Sequence, residues 1–280
     1  MSVRPFEVKG ADGKVIRGDR AEGSGRQVLF ITGFLSKRWG NKSKALAQWC
    51  AESGWGFCCY DVRGFGDSEG KFNDYTLSDW IADAGTVISM LTSSSNLTRP
   101  TPALSHPPAP SLPSQAPAPS DAPFPGLTIV GNSLGGWIAW LMAQQHEHIE
   151  RLILIAPAFN MMGVRAKTIA PERRDDWRRA GWMPWDDDPV HRDWPLSWRW
   201  VEESEAYWAS SFDHLRHVRT TILHGTGDTV ILPDGSREFV HLLLRHDPTY
   251  PIELRLLPGD HRLSSPEHME SLRRLLLETI

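Results

Sequence analysis

Leu127-Thr128-Ile129-Val130-Gly131-Asn132-Ser133-Leu134-Gly135-Gly136-Trp137 (LTIVGNSLGGW) is the stretch on which the fold turns. Leu127 to Gly131 is a short apolar run suited to a buried strand, and Leu134 to Gln145 has the composition of a helix. Between them stands Gly-x-Ser-x-Gly. The pattern alone is weak in a chain with 23 glycines, but its place between a strand and a helix gives it meaning. The turn must be sharp, so Ser133 is held in a strained conformation and its neighbours two residues away must lack side chains. Its hydroxyl then projects at the strand's C-terminal end, at a helix N-terminus that favours negative charge.

A serine hydroxyl is a poor nucleophile near neutral pH and needs a base. Of eleven histidines, His261 alone sits in a short loop after a late strand and before the last helix. His146 and His148 fall at the far end of the helix after Ser133, and His224, which ends a strand, reads as structural. A carboxylate should orient the imidazole and stabilise its protonated form. Asp228 fits, because it follows the strand Thr220 to His224 through Gly225-Thr226-Gly227, and Asp260 beside His261 is the competing acid. Developing oxyanion charge needs two backbone donors. Leu134 N–H is expected to supply one and Phe34 N–H, in the loop after the strand Gln27 to Thr32, the other. Phe34, Leu35 and Trp137 are the expected substrate-binding side chains.

Outward from this centre, strands alternate with helices. Arg4 to Lys9, Val15 to Arg17, Gln27 to Thr32, Trp55 to Tyr60, Arg151 to Ala156, Thr220 to His224 and Pro251 to Leu257 read as strands. Residues 41–54, 76–91, 234–246 and 265–278 read as helices. Continuous apolar strands separated by helices predict an α/β fold with a mainly parallel sheet covered on both faces. The N-terminal hairpin, with its Asp12-Gly13 turn, adds antiparallel strands at one edge.

Two segments break the alternation. Residues 97–126 hold 10 of the 21 prolines and read as a disordered insertion, either a tolerated surface loop or a docking tail. It precedes the strand before Ser133, so it enters at the sheet edge opposite the expected site. Residues 158–215 hold seven of the 13 tryptophans and read as a helical cap of three or four short helices without strands. Its tryptophans suit either the cap's own small core or an aromatic wall over an apolar pocket. A single α/β domain is thus expected over 1–96 and 127–280, with the cap inside it.

Composition narrows the class further. The 280 residues carry a formal net charge of −4, which gives no reason to expect nucleic-acid binding. No apolar run approaches the ~20 residues of a membrane-spanning helix. Three cysteines cannot build a disulfide framework, and adjacent Cys58 and Cys59 point to opposite faces of a strand. With no leader pattern in the first twenty residues, a cytoplasmic location is expected. No metal-ligand spacing, dinucleotide fingerprint or P-loop is present, so no cofactor is expected.

The order Ser133, Asp228, His261 and the glycine-flanked serine resemble the α/β-hydrolase superfamily, over almost the whole chain apart from residues 97–126. Asp61-Val62-Arg63-Gly64-Phe65-Gly66-Asp67-Ser68 is similar to a loop common in that superfamily. More narrowly, Thr32-Gly33-Phe34-Leu35-Ser36, Gly131 to Trp137, Leu223-His224-Gly225 and Asp260-His261-Arg262 resemble the mitochondrial acyl-protein (palmitoyl-protein) thioesterase and acyl-glucuronide esterase family. The resemblance implies a catalytic triad of Ser133, Asp228 and His261, a small-molecule or acylated-protein substrate, and a mitochondrial address. The insertion is not part of that family's pattern. Two further readings share the fold. A proline-iminopeptidase-like peptidase would hold a substrate amine with Glu202, Glu203 and Glu205 in the cap. A non-catalytic small-molecule receptor would keep the scaffold without turnover.

Overall fold

The computed structural model describes residues 2–93, 126–183 and 194–278. The proline-rich insertion, apart from Gly126, and Trp185 lie outside the described residues. Strands β1 (Arg4–Lys9), β2 (Val15–Ala21), β3 (Gln27–Ile31), β4 (Gly56–Tyr60), β5 (Leu127–Asn132), β6 (Ile149–Ile155), β9 (Arg219–Gly225) and β10 (Ile252–Leu257) form one eight-stranded sheet. The order across it is β1-β2-β4-β3-β5-β6-β9-β10. The pairs from β4 onward are parallel, whereas β1 with β2 and β2 with β4 are antiparallel. The strand pattern read from the sequence therefore holds, hairpin edge included.

Helices cover both faces because the central strands are buried on both. One face packs α1 (Asn41–Glu52) and α8 (Pro266–Leu277) through Leu46, Trp49, Cys50, Leu272, Leu275 and Leu276. The other packs α2 (Leu77–Thr92), α3 (Leu134–Gln145) and α7 (Pro233–His246). Helix α3 is buried from Leu134 through Ala143, as an all-apolar helix at the centre of a fold must be.

Between β6 and β9 lie α4 (Met161–Thr168), α5 (Pro171–Ala180), β7 (Trp182–Met183), β8 (Leu196–Ser197) and α6 (Arg199–Ala209). The expected helices are there, but the absence of strands was a wrong expectation. Trp182 pairs Ser197 and Met183 pairs Leu196 in a short antiparallel ribbon. Two residues per strand carry no readable period, and the pairing satisfies main-chain groups that a bare loop would strand. The tryptophans pack partly within the segment and partly onto the helices and loops beneath it. Trp177 packs edge-on against Trp198 at 5.2 Å and donates its Nε1–H to the Leu196 carbonyl at 2.8 Å, inside the segment itself. Trp200, by contrast, lies 4.9 Å from Trp80 of α2 and 5.5 Å from Phe34. Trp194 continues this contact onto Phe65 and Phe72.

Candidate active site

The sharp turn after β5 places Ser133 at φ 54° and ψ −122°, at the N-terminus of α3. A Cβ on Gly131 would lie 2.5 Å from the Gly135 carbonyl oxygen, and one on Gly135 would lie 2.3 Å from the carbonyl oxygens of Ile31 and Thr32. Only glycine fits either position. The strained serine is held on both sides by main-chain bonds. Its N–H donates to Ile155 at 2.8 Å, and its carbonyl accepts from Gly136 at 2.9 Å and Ala158 at 3.0 Å.

His261 comes from the loop after β10, and its Nε2 lies 3.1 Å from Ser133 Oγ. Its Nδ1 lies 2.7 Å from Asp228 Oδ2. Nδ1 faces a carboxylate and so carries the proton, which leaves Nε2 to accept the serine O–H. The Asp228 side chain is fully buried, and that of His261 is 19% exposed. Asp228 Oδ1 accepts the main-chain N–H groups of Val230 and Ile231, both at 2.9 Å. The two loops that carry Asp228 and His261 are tied together by Gly227 N–H to Gly259 O at 2.8 Å. The competing acid, Asp260, is otherwise engaged, since its Oδ1 accepts Arg262 N–H at 3.0 Å and Leu263 N–H at 3.3 Å.

The loop after β3 runs alongside the serine. A Cβ on Gly33 would lie 3.0 Å from Ser133 Cβ, so the main chain entering Phe34 passes beside the serine. Leu134, as the first residue of α3, has no carbonyl four residues back within the helix to receive its N–H. The Phe34 ring packs against Phe72, Trp80 and Trp200 at 5.5–5.7 Å. Leu35 takes φ 53° and packs on the same core. Trp137 is not where a pocket-lining residue should be. Its side chain is 0% exposed within the core, because α3 is buried all round and position 137 has no open face.

Several residues outside the expected set shape this site. Arg38 donates its own N–H to Asp61 Oδ1 at 2.6 Å, and its guanidinium binds Asp19 and Asp67, each at 2.7 Å, and Asp61. The loop beside Ser133 is thereby clamped to the Asp61–Ser68 loop. Arg63 lies buried against Asp83, with Nε 2.5 Å from Oδ1. These pairs tie the Asp61–Ser68 stretch to the segments around it. Lys42 donates to the Arg262 carbonyl and to Ser264 Oγ at 3.3 Å, next to His261. Burial holds its pKa down at about 8. It lines a polar cavity of about 190 Å³ with Thr32, Gly33, Asn41, Asn132 and Ser264. His224 is fully buried and touches Asp228. The spacing of four between His224 and Asp228 was the one sequence signal for that contact. Nothing local marked Arg38 or Lys42, whose partners are remote in the chain.

The cysteines take no part in this chemistry. All three are free and buried, and burial pushes the Cys50 thiol up to about 12, where it is inert. Among the described residues no cluster of three or more His, Cys, Asp or Glu side chains could hold a metal ion. No helix among them is long and apolar enough to cross a membrane.

A sharp strand–serine–helix turn on the central strand of such a sheet, with a histidine and an acid brought to it by the loops after β10 and β9, is the arrangement of an α/β-hydrolase. The chain belongs to the alpha/beta hydrolase family, whose family model matches residues 28–275. Among curated proteins it is similar to the palmitoyl-protein thioesterase ABHD10, mitochondrial, of Homo sapiens, with 22% identity over 90% of this chain and 72% of the human protein. The Bos taurus protein of the same name is 20% identical over 76% of this chain, which spans only 60% of the bovine length. Among solved structures, a putative hydrolase from Agrobacterium vitis S4 superposes with a TM-score of 0.78 at 20% identity, over 99% of this chain and 98% of that one. Alpha/beta hydrolase domain-containing protein 10 from mouse superposes with a TM-score of 0.74 at 19% identity, over 98% and 96%. Est1E from Butyrivibrio proteoclasticus, bound to ferulic acid, gives 0.68 at 19% identity, over 97% and 96%.

Proposed function

We propose that this protein hydrolyses acyl esters or thioesters through an acyl-enzyme on Ser133. The observation that carries the proposal is the unbroken hydrogen-bonded chain from Ser133 Oγ through His261 to buried Asp228. His261 Nε2 takes the serine proton as Oγ attacks the carbonyl carbon, and returns it to the departing alcohol or thiol. The same nitrogen then deprotonates the water that attacks the acyl-enzyme, and Ser133 regains its proton as the acid leaves. The main-chain N–H groups of Leu134 and Phe34 are the donors proposed for the oxyanion, aided by the N-terminus of α3. Phe34, Phe72, Trp80, Trp194 and Trp200 form an aromatic cluster beneath the proposed helical cap, in which Phe72, Trp80 and Trp200 are buried and the half-buried Phe34 and Trp194 leave an apolar surface. Such a surface suits a fatty acyl chain, in keeping with relatives named as palmitoyl-protein thioesterases. A mitochondrial location rests on those same names, and fractionation with a tagged full-length chain tests it.

The aminopeptidase reading has less support. Glu203 accepts the Thr76 hydroxyl and the Ser78 N–H, both at 2.9 Å, and so caps α2. Glu205 pairs with Lys167 at 2.9 Å and accepts from Asn160 at 3.2 Å. Two of the three carboxylates needed to grip a substrate amine are thus already engaged.

The test is intact-protein mass after treatment with a fluorophosphonate, for wild type and Ser133→Ala. One adduct on the wild type and none on the variant is expected. Equal labelling of both places the reactive group elsewhere than Ser133 and refutes the assignment, and no labelling of either favours a receptor on the same scaffold. Turnover of thioesters and oxygen esters of increasing chain length then fixes the acyl preference.

A further inference from the structure

His224 is absent from the mechanism above, yet it lies directly behind the acid. Its side chain is fully buried at the end of β9. Nε2 is 3.1 Å from Asp228 Oδ2 and 2.9 Å from the Ile231 carbonyl oxygen. Nδ1 is 2.8 Å from Ser236 Oγ, at the start of α7. Both neighbours of Nε2 are acceptors, so Nε2 carries the proton. The Ser236 hydroxyl then donates to Nδ1. Burial pushes the pKa of His224 down, so the ring is neutral at the pH where the enzyme would work.

We infer that His224 is a positioning residue: its Nε2–H holds Asp228 Oδ2 in the rotamer that orients His261, and Ser236 fixes the tautomer that makes this possible. The inference rests on the proposed role of Asp228 and His261. The physical reason lies in the coordination of the carboxylate. Oδ1 is pinned by two main-chain donors, whereas the partners of Oδ2 among the described residues are the two imidazoles. His261 must move charge and protons in every turnover, so it cannot also be the anchor of the oxygen that orients it. His224 has no proton to exchange in the cycle and sits on a strand, which makes it a fixed donor. A buried carboxylate stripped of one donor also attracts a proton to the His261–Asp228 pair more strongly. Among the described residues, the ionisable groups that act on His224 are Asp228 and, from the loop after β10, His261.

The geometry supplies matched variants. In His224→Asn the amide reaches Ser236 and falls short of Asp228. In His224→Gln the amide nitrogen reaches about as far as Nε2 and keeps the donor. Both are polar and of similar bulk, so folding alone does not separate them. The full-length variants are compared by kcat and KM for a p-nitrophenyl ester, counted per fluorophosphonate-reactive site, from pH 5 to 9. For His224→Asn we expect kcat to fall by about 10- to 100-fold, the range for a lost hydrogen bond to a buried charge, with KM little changed. The acidic limb of the kcat/KM profile should move to higher pH. His224→Gln should recover most of the rate and the position of the limb. Equal losses in both variants overturn the inference. So does a His224→Asn protein that is merely less stable, with kcat per reactive site and pH profile unaltered.

A second readout does not depend on activity, and so separates this inference from the catalytic reading. The His261 Nδ1 proton, shared with Asp228, should give a downfield proton resonance in wild type and in His224→Gln. It should broaden or vanish in His224→Asn. If wild type takes no fluorophosphonate, the catalytic reading fails, and this resonance alone decides the positioning role. An identical resonance in all three proteins refutes it.

Discussion

Replacing Asp228 with Asn changes one atom and should disable the proposed site. The main-chain N–H groups of Val230 and Ile231, both 2.9 Å from Oδ1, select the amide oxygen for that position. The amide NH₂ then occupies the place of Oδ2, facing His261 Nδ1 at 2.7 Å and His224 Nε2 at 3.1 Å. Two N–H groups would point at a third donor, so each imidazole must move its proton to the other nitrogen. For His261 that puts a proton on Nε2, the atom that should receive the proton of Ser133. A wrong tautomer at this position costs about 10⁴ in kcat, or about 5.5 kcal/mol at 1.36 kcal/mol per decade. The fold should survive, since no volume changes, but His224 gives up its bond to the Ile231 carbonyl. That buried acceptor left unpaired costs about 1–3 kcal/mol. The assay is stopped-flow acylation with a p-nitrophenyl ester, beside a urea titration of the same preparation. A variant that acylates within 10-fold of wild type would show that Asp228 does not set the tautomer of His261.

Three further outcomes are expected. Trp200→Ala removes a ring that is 1% exposed and packed on Trp80 and Phe34, and should cost about 3–5 kcal/mol in a denaturant titration; an unchanged midpoint would mean that α6 is not seated on α2. Arg63→Met leaves the Asp83 carboxylate buried without its cation and should cost about 3–5 kcal/mol, while adding Asp83→Leu recovers much of this; a double variant worse than the single one contradicts that account. Lys42, held at a pKa of about 8, should be the first lysine acetylated at pH 7.5, since its neutral fraction exceeds that of an ordinary lysine by about 200-fold; peptide mapping that finds Lys42 slower than Lys44 refutes this.

Stability should also fall on mild acidification. His224 and His146 both have pKa values lowered by burial. Their unfolded forms therefore take up protons first as pH drops below about 6.5. Stability is full above that value and is lost as pH falls towards the folded pKa values. Burial raises the Asp83 pKa to about 6, so its protonation opposes this loss in the same window; urea midpoints at pH 7.5 and 5.5 are therefore compared for wild type and His224→Gln, and an equal change in both would show that His224 does not contribute.

Some of the architecture was plain in the chain. The parallel sheet announces itself because each buried strand is an apolar run, as in Gly56–Tyr60, and because burial on both faces removes the polar alternation of an edge. The nucleophile turn is equally local. Steric contacts within a few residues and with the neighbouring strand demand glycine at 131 and 135, so Gly131 to Gly135 carries its own geometry. The chain order of serine, acid and histidine follows from which loops leave the same sheet edge.

Other features exist only when remote segments meet. Asp228 and Asp260 are equivalent as carboxylates near a late strand, and the difference appears only where Asp260 turns to its own backbone while Asp228 meets His261, 33 residues away. Trp137 follows the serine by one helical turn and looks like a pocket residue, until the packing of α3 on every side buries it. Arg38 and Lys42 have no local pattern, because their partners at Asp61 and Arg262 are supplied by other strands' loops. Sequence by itself determined what propensity, steric need and period can write into neighbouring residues: the strands, the elbow and the serine. Tertiary structure decided which aromatics and which loop charges face each other, and set the distances among the serine, histidine and acid that the sequence had already singled out, because hydrogen bonding and burial are set by distances through space that no spacing along the chain encodes.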